Sequence, residues 1–216
     1  MKPPKSEVRV FNLGGSCWKN IQSFPLNPLD WLDNNINSVN YGVHLNGTIN
    51  WLVIHNYRFS VYHYESISHV NEFVILALDL STETYKEILL PQGFHEVPCF
   101  QPVLKVLMGH LCFSHDKKSE FVLWQMKEYG IQESWTQLFK ISYDYENLEM
   151  RYFDDDYQLV CLYKYGDMVI LGNRAGDLAV TYNLRDEIVE RIRFTNSIEH
   201  WKYDAIDYVE SLVSIP

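Results

Sequence analysis

The chain has 216 residues, is 47% hydrophobic and 15% aromatic, and carries a formal net charge of −10. That much apolar surface excludes a disordered chain, and the length suits a single all-β unit. Its 18 basic residues are scattered, which excludes the clustered cationic surface that binds nucleic acid or anionic lipid.

Met1–Glu7 has no apolar stretch of the kind that starts a secretory signal. From there the chain reads as short strands, predicted at 10–12, 43–45, 48–53, 73–79, 84–89, 103–108, 110–114, 121–126, 135–141, 159–164, 167–171, 178–183 and 188–194. The longest unbroken apolar run is Phe73–Leu78, far short of the roughly 18 residues that cross a bilayer. An apolar residue at every position of that run, without alternation, predicts a strand covered on both faces.

An internal repeat organises these strands. Phe11-Asn-Leu-Gly-Gly-Ser-Cys-Trp-Lys-Asn-Ile21 aligns without a gap on Leu78-Asp-Leu-Ser-Thr-Glu-Thr-Tyr-Lys-Glu-Ile88 and on Tyr182-Asn-Leu-Arg-Asp-Glu-Ile-Val-Glu-Arg-Ile192. Asn12, Asp79 and Asn183 each end a strand and open a turn, because their short side chains bond the backbone two residues on. Trp124-Gln-Met126 with Trp135-Thr-Gln-Leu138 forms a fourth copy with a longer turn. The alignment predicts that Trp18, Tyr85 and Trp135 are buried at equivalent places in successive sheets. Between the hairpins, Gly47, Gly109 and Gly166 each sit between two short apolar strands. These glycines are 62 and 57 residues apart, and a loose period in the fifties is near the ~50 of kelch-type propeller blades, with length variation in the loops. The expected fold is all-β: a partial or small β-propeller of about four antiparallel blades, either an open arc or a ring.

Four segments carry a resemblance to a known family: Tyr41-Gly-Val-His-Leu-Asn-Gly-Thr-Ile-Asn-Trp-Leu52, Ile75–Leu80 with Glu87–Pro91, Glu133–Phe139, and Tyr208–Ser214. In these the chain resembles the F-box-associated domain of plant F-box proteins, the kelch-related group that includes the S-locus F-box proteins. The resemblance implies one domain over 1–216, N-terminally incomplete and without an F-box. It also implies a non-catalytic protein-interaction module that recognises substrates for a Skp–cullin–F-box ubiquitin ligase in the cytoplasm or nucleus. A Skp-type adaptor is then a partner only where an F-box is supplied elsewhere. A propeller-fold enzyme with an unrecognised site, or a degenerate truncated fragment, are the other readings the residues leave open.

No cofactor, metal or catalytic residue is expected. The eight histidines lack metal-motif spacing, and there is no GxSxG elbow, GxGxxG or phosphate loop. Cys17, Cys99, Cys112 and Cys161 include no CxxC pair and read as reduced core thiols. The candidate partner-binding residues are Tyr57, Arg58, Phe59, Tyr62 and Tyr64, in the long connection between Trp51 and Phe73, because aromatic and Arg side chains on loops are frequent interface anchors. The same spacing also suits an ordinary strand face. The acidic run Asp154–Asp156 reads as a solvated loop or as a site that steers a basic partner.

Overall fold

A computed structural model describes residues 8–12, 14–26, 28–29, 42–57, 62–117, 120–142, 159–173 and 179–192. Among the described residues, fourteen strands form four antiparallel sheets in sequence order. The first sheet is the hairpin β1 (Val8–Asn12) and β2 (Cys17–Ile21). The second is β3 (Val43–Leu45), β4 (Thr48–Ile54), β5 (Phe73–Asp79) and β6 (Thr84–Leu89). The third is β7 (Val103–Leu107), β8 (His110–Lys117), β9 (Glu120–Met126) and β10 (Trp135–Ser142). The fourth is β11 (Leu159–Tyr165), β12 (Met168–Asn173), β13 (Ala179–Asn183) and β14 (Ile188–Arg191). Each four-stranded sheet is a plain up-and-down meander, and the first strands of the three approach one another, β7 touching both β3 and β11. This is a partial β-propeller, and among the described residues it has no α-helix.

The hairpin repeat is real at the level of atoms. Phe11 pairs with Trp18, Leu78 with Tyr85, and Tyr182 with Val189, in the same register. Asn12 Oδ1 accepts the Gly15 N–H at 3.1 Å. Asp79 Oδ1 accepts the N–H groups of Ser81 (2.8 Å) and Thr82 (3.0 Å). Asn183 Oδ1 accepts those of Arg185 (2.9 Å) and Asp186 (3.3 Å). Four residues after each opener the backbone turns left-handed, at Ser16 (φ 48°), Glu83 (φ 57°) and Glu187 (φ 54°). The other turns are tighter: Asn46–Gly47 and Met108–Gly109 have positive φ at both positions, the geometry that matches strand twist across two-residue turns.

The core is layered. One apolar cluster lies between the first and second sheets and holds Phe24, Trp51, Val53, Val74, Leu76 and Leu78. A second, between the second and third sheets, includes Leu52, Ile54, Phe73, Ile75, Phe113 and Trp135. The third joins the third and fourth sheets through Phe121, Leu123, Phe139, Val169, Leu171 and Tyr182. Alternate residues of Phe73–Leu78 thus go to different clusters, and the strand is covered on both faces as its composition requires.

Three expectations need correction. Trp18 is 67% exposed, because no sheet among the described residues lies on its side of the hairpin; Tyr85 is half-buried and Trp135 buried against the sheet before each. The fourth repeat copy is displaced: Trp135 pairs with Met126, not Trp124. Its longer turn, residues 127–134, reaches across to the second sheet. There the Tyr129 hydroxyl donates to Asn50 Oδ1 (2.6 Å) and lies 2.8 Å from Thr48 Oγ1, while Gln132 Nε2 donates to the Leu90 carbonyl (2.8 Å). Trp135 Nε1 adds a bond to the Leu89 carbonyl at 3.0 Å. A buried amide such as Asn50 needs these partners, and supplying them lengthens the turn. Finally, only Cys112 and Cys161 are core thiols; Cys17 and Cys99 are exposed, and all four are free. The segments 154–156 and 208–214 lie outside the described residues.

Candidate interaction face

Antiparallel meanders put alternate connections at opposite ends. The turns 46–47, 80–83, 108–109, 127–134, 166–167 and 184–187 share one end, and the long connections 55–72 and 90–102 share the other. Loops carried by rigid strands are where binding residues concentrate, which makes the long-connection end the candidate face.

The 90–102 connection is pinned from below. A Cβ on Gly93 would stand 2.4 Å from the Trp124 ring, so only glycine lets the backbone lie on that indole. Phe94 follows, 5% exposed, with ring centroids 5.5 Å from Phe73, 5.1 Å from Phe113 and 4.9 Å from His115. Trp124 Nε1 donates to His115 Nε2 at 3.3 Å, and His115 Nδ1 lies 3.5 Å from the Asp116 carbonyl. The Nε2 atom therefore accepts and the Nδ1 atom carries the proton. Burial holds the His115 pKa down to about 4, overriding the opposing pull of the Asp116 carbonyl and Glu96. This histidine is core, not surface.

The 55–72 connection folds onto that support. The Tyr62 hydroxyl donates to the Pro98 carbonyl at 2.6 Å and its ring packs near Phe73 at 6.4 Å; burial raises its pKa. The Tyr57 hydroxyl accepts the His63 N–H at 2.5 Å. Glu72 Oε1 accepts the N–H groups of Ser68 (2.9 Å) and His69 (2.8 Å), fixing the short 3-10 turn Val70–Glu72. Between the two connections lies an open cleft of about 470 Å³ lined by Ser68, His69, Val70, Asn71, His95 and Val97.

Of the five sequence-derived candidates, Tyr57 and Tyr62 are half-buried and brace the loop, Tyr64 is 43% exposed beside it, and Arg58 and Phe59 lie outside the described residues. The cleft residues were missed, since Ser, His, Asn and Val in a loop carry no motif. The Glu72 bond back to residue 69 has a readable pattern, an acid three residues after the start of a turn. Among the described residues no group of three His, Cys, Asp or Glu is placed to hold a metal, and no helix is long and apolar enough to cross a membrane.

A partial propeller of kelch-like hairpins with one loop-rich end is the class of protein these observations define. Residues 1–215 match the F-box associated beta propeller domain, and the chain belongs to that family. It is also similar to an F-box/kelch-repeat protein of Arabidopsis thaliana, 25% identical over 140 residues. That match covers 63% of this chain and 33% of the relative, so the chain spans about a third of that protein's length.

Proposed function

We propose that this chain is a non-catalytic target-recognition module of a Skp–cullin–F-box ubiquitin ligase, with the target docking on the long-connection end. The observation that carries the reading is the family match over residues 1–215. The similar Arabidopsis protein being an F-box/kelch-repeat protein supports it. The mechanism is proximity: a stiff scaffold holds its target near a transfer centre and raises its effective concentration there. The cleft between the two pinned connections supplies a preformed surface, which lowers the ordering cost of binding.

The test is recovery of the tagged chain from plant cells with the proteasome blocked. A bound target is expected, and it should carry ubiquitin when an F-box is joined to the chain. Its recovery should fall in a Tyr64→Ser/His95→Ala variant and persist in Met108→Ser, which changes the opposite end. Capture unaltered by the loop-end variant, or a target whose ubiquitination is the same without the chain, refutes the proposal.

A further inference from the structure

Among the described residues, the tight turns that join the first two strands of the four-stranded sheets differ at one place. Leu45 pairs with Thr48, Leu107 with His110 and Tyr165 with Met168, so Asn46, Met108 and Gly166 are equivalent, each the first of two turn residues. All three have left-handed backbone, at φ 49°, 50° and 57°. Asn and Gly tolerate that conformation, whereas a long side chain on a Cβ is disfavoured in it. Burial does not compensate, because Met108 is 54% exposed. An outlier of this kind points to a use for the side chain itself.

The surroundings of Met108 supply one. Lys164, on β11 of the next sheet, places its Nζ 3.9 Å from Met108 Sδ and donates to the Gly166 carbonyl at 2.9 Å. One sulfur and one ammonium thus join the first turn of the third sheet to the first turn of the fourth. A thioether is a weak acceptor, so this joint is weak as it stands. Met126 is the contrast: its sulfur accepts the Gly130 N–H at 3.0 Å, and the residue is 1% exposed and shielded from solutes.

We propose that Met108 is a site of reversible oxidation by a hydroperoxide, and that Lys164 holds the resulting sulfoxide and tightens the joint between the third and fourth sheets. A lone pair of Sδ attacks one oxygen of hydrogen peroxide, the S–O bond forms and the O–O bond breaks. The departing hydroxide takes the proton left on the transferred oxygen and leaves as water; the sulfur has lost two electrons and the peroxide has gained them. The sulfoxide oxygen carries partial negative charge, so the ammonium exchanges a weak contact with sulfur for a charge-assisted hydrogen bond to oxygen. Methionine sulfoxide reductases reverse the step.

The experiment exposes the purified 216-residue chain to dilute hydrogen peroxide and maps the products by peptide mass spectrometry. Sulfoxide is expected at Met108 well before Met126. Acetic anhydride labelling of the Lys164 amine should then fall roughly tenfold, the effect of one charge-assisted hydrogen bond, and return after treatment with a sulfoxide reductase. Met108→Asn, which suits the turn as Asn46 does, keeps Met168, which is 50% exposed and oxidises too. Peroxide should leave Lys164 labelling unchanged in that variant. Oxidation of Met108 no faster than of Met126 overturns the proposal. So does Lys164 labelling that stays constant in the parent chain, or that falls equally in Met108→Asn.

Discussion

His115 makes stability depend on pH in a calculable way. It is 5% exposed, its Nε2 accepts from Trp124, and burial lowers its pKa from 6.5 to about 4. In the unfolded chain the same imidazole titrates near 6.5. Between those values the unfolded state binds the extra proton, so its contribution is fully present above pH 6.5 and is lost as pH falls toward 4. At about 1.4 kcal/mol per pKa unit, the loss approaches ~3 kcal/mol, a sizeable part of a typical domain's 5–15 kcal/mol. Urea unfolding midpoints measured from pH 7.5 to 4 should show it. His115→Phe should flatten that part of the slope while lowering stability at pH 7 by about 1–3 kcal/mol, because the Trp124 N–H loses its acceptor. An imidazole resonance for His115 titrating near 6.5, or the same pH slope in the variant, refutes the reasoning.

Other expectations follow from the same packing. Gly93→Ala should destabilise the domain in thermal melts, since the added methyl meets Trp124 at 2.4 Å, and the companion Trp124→Leu should relieve it. Trp135→Ala should cost about 3–5 kcal/mol in urea titration, as a large core truncation does, whereas Trp135→Phe, which keeps one aromatic ring of the two and loses the bond to Leu89, should cost less. The Asp79 carboxyl is held down to about 2 by its bonds to Ser81 and Thr82. Its contribution is thus present above pH 4 and lost as pH falls toward 2; carbon-detected NMR titration of that carboxyl checks the value. Asp79→Asn should preserve the turn, as Asn12 and Asn183 do, and Asp79→Ala should not. Iodoacetamide on the native protein should label Cys17 and Cys99 and spare Cys112 and Cys161, which are buried with their pKa values pushed up to about 12.

What could be read before the structure was the part governed by local chemistry. Asn12, Asp79 and Asn183 announce their turns because the side chain bonds the backbone two and three residues on. Gly47, Gly109 and Gly166 do so because they take positive φ. The unalternated run Phe73–Leu78 revealed a doubly covered strand by composition alone. Legibility fails where a neighbouring sheet decides. Trp18 and Tyr85 look alike in the repeat, and only the presence of a sheet beside Tyr85 separates them. Gln125 lacks the short acceptor of the other turn openers, and its copy slips register as residues 127–134 reach for the second sheet. The candidate face is only half legible: Tyr57 and Tyr62 read as anchors in the sequence, yet both hydroxyls are engaged in holding the loop. Its cleft arises from two segments some 25 residues apart in the chain, and nothing local to either marks it.

The layering of the core has a consequence for how such chains change over generations. Each of the three clusters is shared by only two sheets, and stability in stacked architectures is close to a sum of unit and nearest-neighbour terms. A duplication or deletion that adds or removes one whole sheet therefore disturbs only the layers which that sheet shares and leaves the rest packed as before. A single-centred core has no such freedom, since any lost element touches all the rest. Blade number in this architecture is accordingly a quantity that can drift by whole units, while the register of the hairpins that open on Asn12, Asp79 and Asn183, each set by that side chain and one left-handed residue, stays put.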